Sequence, residues 1–140
     1  MLGAIKMNEV QFFHLAQTAI VDKLTNSLSI INLIEGFGGV SFPLIPPPFA
    51  IVLRTKRDVE IDPDTIELEF IIKQKDNELF KGKFKTYYQG KSLHNLIVTV
   101  SGLLVKEPSP IEVVCMYEGK EIAKSVIEVK DIPLKVEKRE

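Results

Sequence analysis

Few side chains in this 140-residue sequence could do chemistry: two histidines (His14 and His94), one cysteine (Cys115), and the alternating carboxylates Asp58, Glu60, Asp62 and Asp64. A nucleophilic thiol needs a histidine to take its proton and a carboxylate to orient that histidine. Cys115 instead lies between Val114 and Met116, with no adjacent cation to lower its pKa. It reads as a buried structural cysteine. Two histidines and one cysteine are also too few for a closed tetrahedral zinc site. The four carboxylates come closer to a metal loop, because calcium takes several hard oxygens at once. Their spacing is not that of an EF-hand, and Asp62-Pro63-Asp64-Thr65 accounts for the segment as a solvated type I turn.

Other constellations point to contact rather than reaction. There is no Walker loop, no G-x-G-x-x-G and no G-x-S-x-G, and Gly36-Phe37-Gly38-Gly39 lacks the lysine a phosphate cradle needs. It reads as a flexible link. Tyr87 and Tyr88, two residues before Gly90, would suit stacking on a sugar, or would simply cover a core. The segment Phe42-Pro43-Leu44-Ile45-Pro46-Pro47-Pro48-Phe49 is the most distinctive. Its prolines favour an extended polyproline conformation that loses little entropy on docking. Exposing Phe42, Leu44, Ile45 and Phe49 together would create a sticky patch, so the arm either shields an edge of its own sheet or meets a second chain. Phe42, Leu44, Ile45, Pro46, Pro47 and Pro48 are the partner-binding candidates.

The elements that position these residues are strands. Val10 to Asp22 carries a helix-like face (Phe13, Gln17, Ile20, Leu24) and a strand-like one (Phe13, Leu15, Ala19, Val21). The β-branched end and the polar turn through Asn26, the residue there best able to adopt a left-handed backbone, decide for the strand. Leu28 to Ile34 and Phe49 to Leu53 are apolar on both parities, which predicts strands covered on both faces. The triple proline between them cannot be an interior strand.

Ile66, Leu68, Phe70 and Ile72 alternate with Glu67, Glu69 and Lys73, and Phe80, Gly82 and Phe84 alternate with Lys81, Lys83 and Lys85. Both inward sets are even-numbered, so the hairpin needs an odd connection or a bulge. A three-residue loop, Lys75 to Asn77, places Phe70 against Gly82 and Glu69 against Lys83. The charged faces could be a docking surface, but such alternation is ordinarily the wet side of a sheet. Thr86 to Ser92 reads as a connection. Leu96, Val98 and Val100 then face in, with Asn95, Thr99 and Ser101 on the other parity, before Lys106-Glu107-Pro108-Ser109-Pro110 breaks the pattern. Ile111 to Tyr117 and Glu121 to Val129 close a hairpin around Glu118-Gly119-Lys120. About eight regularly spaced strands predict an all-β, antiparallel β-sandwich, immunoglobulin-like in the broad sense, over residues 1–130. A charged tail follows over 131–140.

The totals fit a single soluble domain: 45% hydrophobic, 26% charged and a formal net charge of -1. That charge gives no field to draw the chain to nucleic acid or an anionic membrane. Met1 to Glu9 has neither the basic start nor the apolar core of a signal peptide, and no apolar run approaches a membrane span. One cysteine leaves no internal disulfide. The expected location is cytoplasmic.

Leu15-Ala16, Ala19-Ile20-Val21-Asp22, Leu28-Ser29-Ile30-Ile31, Phe42-Pro43, Pro46, Val52-Leu53-Arg54 and the Gly119 turn together resemble a family of uncharacterised bacterial all-β proteins, a domain of unknown function. Where that family usually has a glycine before the Leu-Ser-Ile segment, this chain has Asn26-Ser27. The resemblance implies the fold, carries no catalytic motif and leaves function open.

The sequence therefore points to a non-enzymatic module without cofactor, acting through contact with a protein partner or with itself. The alternative is a sandwich holding a small ligand, sugar or calcium at an end loop, through Tyr87 and Tyr88 or the acidic loop. A hydrolase built on His14 or His94 is disfavoured by how poorly the groups match any catalytic arrangement.

Overall fold

The computed structural model describes residues 9–133, and the regular structure within them is entirely β-strand. The nine described strands are β1 (Glu9–Val21), β2 (Leu28–Ile34), β3 (Gly36–Gly39), β4 (Phe49–Lys56), β5 (Thr65–Gln74), β6 (Asn77–Tyr87), β7 (Leu93–Val100), β8 (Ile111–Tyr117) and β9 (Lys120–Asp131). They make two sheets, ordered β2-β1-β4-β7 and β3-β9-β8-β5-β6. The segment with competing helix and strand patterns is β1, paired to β2 on one side and β4 on the other. The expected lack of a signal peptide concerns Met1 to Glu9, of which only Glu9 is described. Positions 134–140 of the expected tail lie outside the described residues.

The two sheets share one core. Ile66, Leu68, Phe70 and Ile72 of β5 are buried, as alternation requires, and the Phe70 ring stacks on Phe13 of the opposite sheet at 6.1 Å between centroids. Phe70 lies opposite Gly82 and Glu69 opposite Lys83. The parity conflict is resolved by a register shift between Ile72 and Lys73, so the connection is the two-residue turn Lys75-Asp76 rather than a three-residue loop. Gly82 is needed for space: a Cβ there would come within 2.9 Å of the Phe84 ring and 3.2 Å of the Phe80 ring. At the closing hairpin Tyr117 pairs with Lys120, and both turn residues, Glu118 (φ 49°) and Gly119 (φ 77°), are left-handed. Such a turn matches the twist of the flanking strands.

Three expectations are corrected. Gly36-Phe37-Gly38-Gly39 is not a flexible link but strand β3, parallel to β9 from Gly36 opposite Glu128 to Gly39 opposite Asp131. The chain thus steps at Glu35 from one sheet into the other, and the architecture is not wholly antiparallel. A Cβ at Gly36 would lie 3.1 Å from Glu128 O, a tight approach to the β9 backbone that glycine avoids. Second, β2 is an edge strand, and Ile31 and Leu33 are exposed rather than covered. Third, the hydrogen-bonded turn in the acidic loop runs from Asp58 to Asp62 (Asp62 N donating to Asp58 O, 2.8 Å), upstream of Asp62-Pro63.

Strand β4 is buried on both faces. Phe49, Ile51 and Leu53 enter the shared core, while Ala50 and Val52 join Ala16 in a second cluster against Phe12, Ala19, Leu28, Ile30 and Ile97. The cover is the far half of the β1–β2 hairpin. β1 pairs with β4 only as far as Ala16 opposite Ala50, and Asn32 (φ 55°) breaks the regular backbone of β2 nearby. The hairpin then curls back until its tip meets β7: Asn26 Nδ2 donates to Leu93 O (3.4 Å) and Asn95 Nδ2 to Asn26 O (3.2 Å). Asn26 takes the anticipated left-handed backbone (φ 59°). Asn95, on the parity opposite Leu96, Val98 and Val100, is consequently buried as well.

A buried glutamine ties down the long 101–110 connection. Gln74 Nε2 donates to Glu107 O (2.7 Å) and Ser109 O (2.8 Å), and its Oε1 accepts from Lys106 N (3.2 Å). Gln74→Leu keeps the volume but strands these backbone groups, so it is expected to lower unfolding free energy by about 2–3 kcal/mol in a urea titration.

Candidate functional site

The proline arm crosses one end of the molecule, between the start of β4 and the end of β7. Leu44 forms a two-hydrogen-bond bridge with Val105 (Leu44 N to Val105 O 2.7 Å; Val105 N to Leu44 O 2.8 Å). Phe42 and Leu44 pack against the shared core and Pro46 is buried, so one side of the arm belongs to the domain. The other side does not. Ile45 is 60% exposed and, in the register of the bridge, sits beside Leu104, itself 43% exposed. Pro43, Pro47 and Pro48 are exposed with them. Phe49, counted with the arm's apolar side chains, is buried at the start of β4 and tilts against Phe37 of β3 at 5.3 Å.

The ligand candidates lie at the opposite end, where Lys56 of β4 faces Leu93 of β7, and the structure uses them internally. Tyr88 is buried; its hydroxyl meets Thr55 Oγ1 at 2.6 Å, and its ring lies under the Arg57 guanidinium (5.1 Å) and edge-on to His94 (5.8 Å). Burial raises the Tyr88 pKa above its ordinary value, while the Thr55 hydrogen bond and Arg57 pull it back. Tyr87 points the other way and is exposed, so the two tyrosines do not form one stacking surface. The signal that could have found this was alternation: carried past Phe84, even-numbered positions put Thr86 and Tyr88 inside.

The acidic loop is likewise arranged around Arg57, a residue buried to 5% exposure. Its Nε donates to Lys91 O (2.8 Å), Nη1 to Asp62 O (3.2 Å) and Nη2 to Asp64 Oδ1 (2.9 Å). Asp64 Oδ1 also accepts from Gly90 N (2.7 Å), Asp62 Oδ2 from Asp58 N (2.7 Å), and Asp58 Oδ1 from Glu60 N (2.9 Å). The Asp58, Asp62 and Asp64 carboxylates thus bind local backbone and one arginine. Among the described residues no three His, Cys, Asp or Glu side chains converge where a metal ion could sit. Asp58, Glu60, Asp62 and Asp64 are therefore not brought together as a calcium shell.

Cys115 is fully buried in β8, and desolvation pushes its thiol up to about 12. Such a group is neither a nucleophile nor a ready ligand. Against an ordinary thiol the thiolate fraction at pH 8 falls roughly a thousandfold. Native protein is accordingly expected to resist iodoacetamide for hours at pH 8, and unfolded protein to take up one equivalent within minutes, as read by intact mass.

His94 has an unpartnered Nδ1, and burial lowers its pKa below the usual imidazole range. The unfolded chain takes up a proton near pH 6.5 that the folded chain resists, so stability tied to neutral His94 is complete above that pH and declines below it. Glu107 and Glu112, held below the usual carboxylate range first by hydrogen bonds from Lys75 and Lys124, act in a more acidic window. Melting temperature is expected to fall between pH 7 and 5, with a shallower fall in His94→Gln.

Comparison with known proteins gives no matching family model, no matching curated protein and no matching solved structure. Among the described residues no helix is long and apolar enough to cross a membrane.

Proposed function

We propose that this chain is a non-enzymatic contact module of the bacterial cytoplasm, built as a sandwich that is immunoglobulin-like only in the broad sense, and that it binds a protein partner through the outer side of its proline arm. The observation that carries the reading is the division of the arm. Phe42, Leu44 and Pro46 fasten it to the core, while Ile45, Pro47 and Pro48 stand outward beside Leu104. A proline-rich segment held at both ends and by the Val105 bridge loses little further freedom on docking, which favours recognition. The burial of Cys115, the hydrogen bond of the Tyr88 hydroxyl to Thr55 and the bonds of the Asp58, Asp62 and Asp64 carboxylates to local backbone or Arg57 support contact over catalysis.

The test is to immobilise the full chain and its Ile45→Ser/Leu104→Ser form and compare proteins captured from the native host. Both positions are exposed, so the melting temperature should shift by no more than about 2 °C. A protein retained by the parent chain and released by the variant, at least tenfold, is the expected result. Equal retention by both would end the reading.

A further inference from the structure

We infer that β2 is a homodimer seam, along which two copies of this chain pair edge to edge, antiparallel, to join their four-stranded sheets into one. The inference goes beyond the proline-arm reading and does not depend on it. It begins with charge. Between Val10 and Val21, and again between Leu28 and Ile34, there is no Asp, Glu, Lys or Arg, in a chain where 26% of residues are charged. The wet face of a sheet normally carries such residues, and depletion of charge marks the centre of an interface.

The structure places this uncharged stretch at an edge. Among the described residues β2 has β1 on one side and no strand on the other. On one face of the hairpin Ala19, Leu28 and Ile30 serve the second cluster. Ile20 (59%), Ile31 (45%) and Leu33 (52%) are left exposed, among the uncharged Gln17, Thr18, Ser29 and Asn32. Ile20 and Ile31 are diagonal neighbours on the ladder, since Thr18 pairs with Ile31 and Ile20 with Ser29.

The far edge of the other sheet is the useful contrast. β6 carries Lys81, Lys83 and Lys85, and lysine on an edge discourages pairing with another chain. Two β6 edges would bring like charges together, whereas two β2 edges bring none. A charge-free strand is also poorly matched to an acidic or basic partner, because it offers no complementary field. Its own copy meets every requirement: the same apolar side chains, the same unpaired backbone groups and two-fold self-complementarity.

Sedimentation velocity on the full chain over a concentration series tests this, with Ile31→Lys, Ile31→Glu and Ile45→Ser alongside. The expected result is a species of twice the chain mass for the parent and for Ile45→Ser. Each Ile31 variant alone should dissociate at least about a hundredfold more readily, since like charges would oppose each other across the seam. Mixing the Lys and Glu variants should restore the dimer, a rescue that a merely misfolded chain would not give. A parent chain that stays monomeric at every concentration overturns the inference, as does an Ile31→Lys chain that dimerises unchanged or a mixture that fails to recover. Loss of the dimer in Ile45→Ser alone would move the seam to the arm and likewise overturn it.

Discussion

The rest of the structure depends on covering β4 from both sides. Phe49, Ala50, Ile51, Val52 and Leu53 are consecutive and all buried, and each large apolar side chain withdrawn from water contributes about 1.5–3 kcal/mol. The five-stranded sheet covers one face. No third sheet exists among the described residues to cover the other, so the chain uses the excess length of β1, 13 residues against 8 in β4. The overhanging hairpin folds back, and Ala16 and Ala50 are small enough to let it approach. Gln17 and Asn32, hydrogen-bonded to each other at 2.7 Å, mark the bend.

Covering the outer face has a polar counterpart at the Arg57 end. A buried guanidinium requires acceptors on every side, and the surrounding loop supplies Lys91 O, Asp62 O and Asp64 Oδ1. The acidic segment has a structural use: the Asp58 and Asp62 carboxylates hold a turn and Asp64 balances one arginine. The same network seats Tyr88 and His94, so the end most attractive for ligand chemistry in the sequence is the most occupied by internal bonds.

What was legible in the sequence was whatever repeats with period two on one buried face. Ile66 to Ile72 against Phe80 to Phe84 fixed parity, and parity forced the bulge that relieves it. β3 was hidden because a strand of glycines around one phenylalanine has no side-chain alternation to read. β2 was misjudged for a subtler reason. Its apolar residues on both parities do alternate between faces, but only one face is covered within the chain, and hydrophobicity alone does not say by what. Leu104 and Val105 were missed because the segment they meet, Leu44 and Ile45, is distant in sequence, and Arg57 because its neighbours Asp62 and Asp64 are joined by the distant Tyr88 and Lys91. The local clue for Arg57 was its place at the head of the alternating carboxylates Asp58 to Asp64.

The parallel ladder between β3 and β9 carries a consequence for biosynthesis. β3 lies immediately before the proline arm, yet its partner, Glu128 to Asp131, is the last strand described. A ribosome therefore delivers the arm long before the strand that anchors its near end, and Leu44 must also await Val105. Nascent chains would carry an unmoored, apolar, proline-rich segment until β9 has been made.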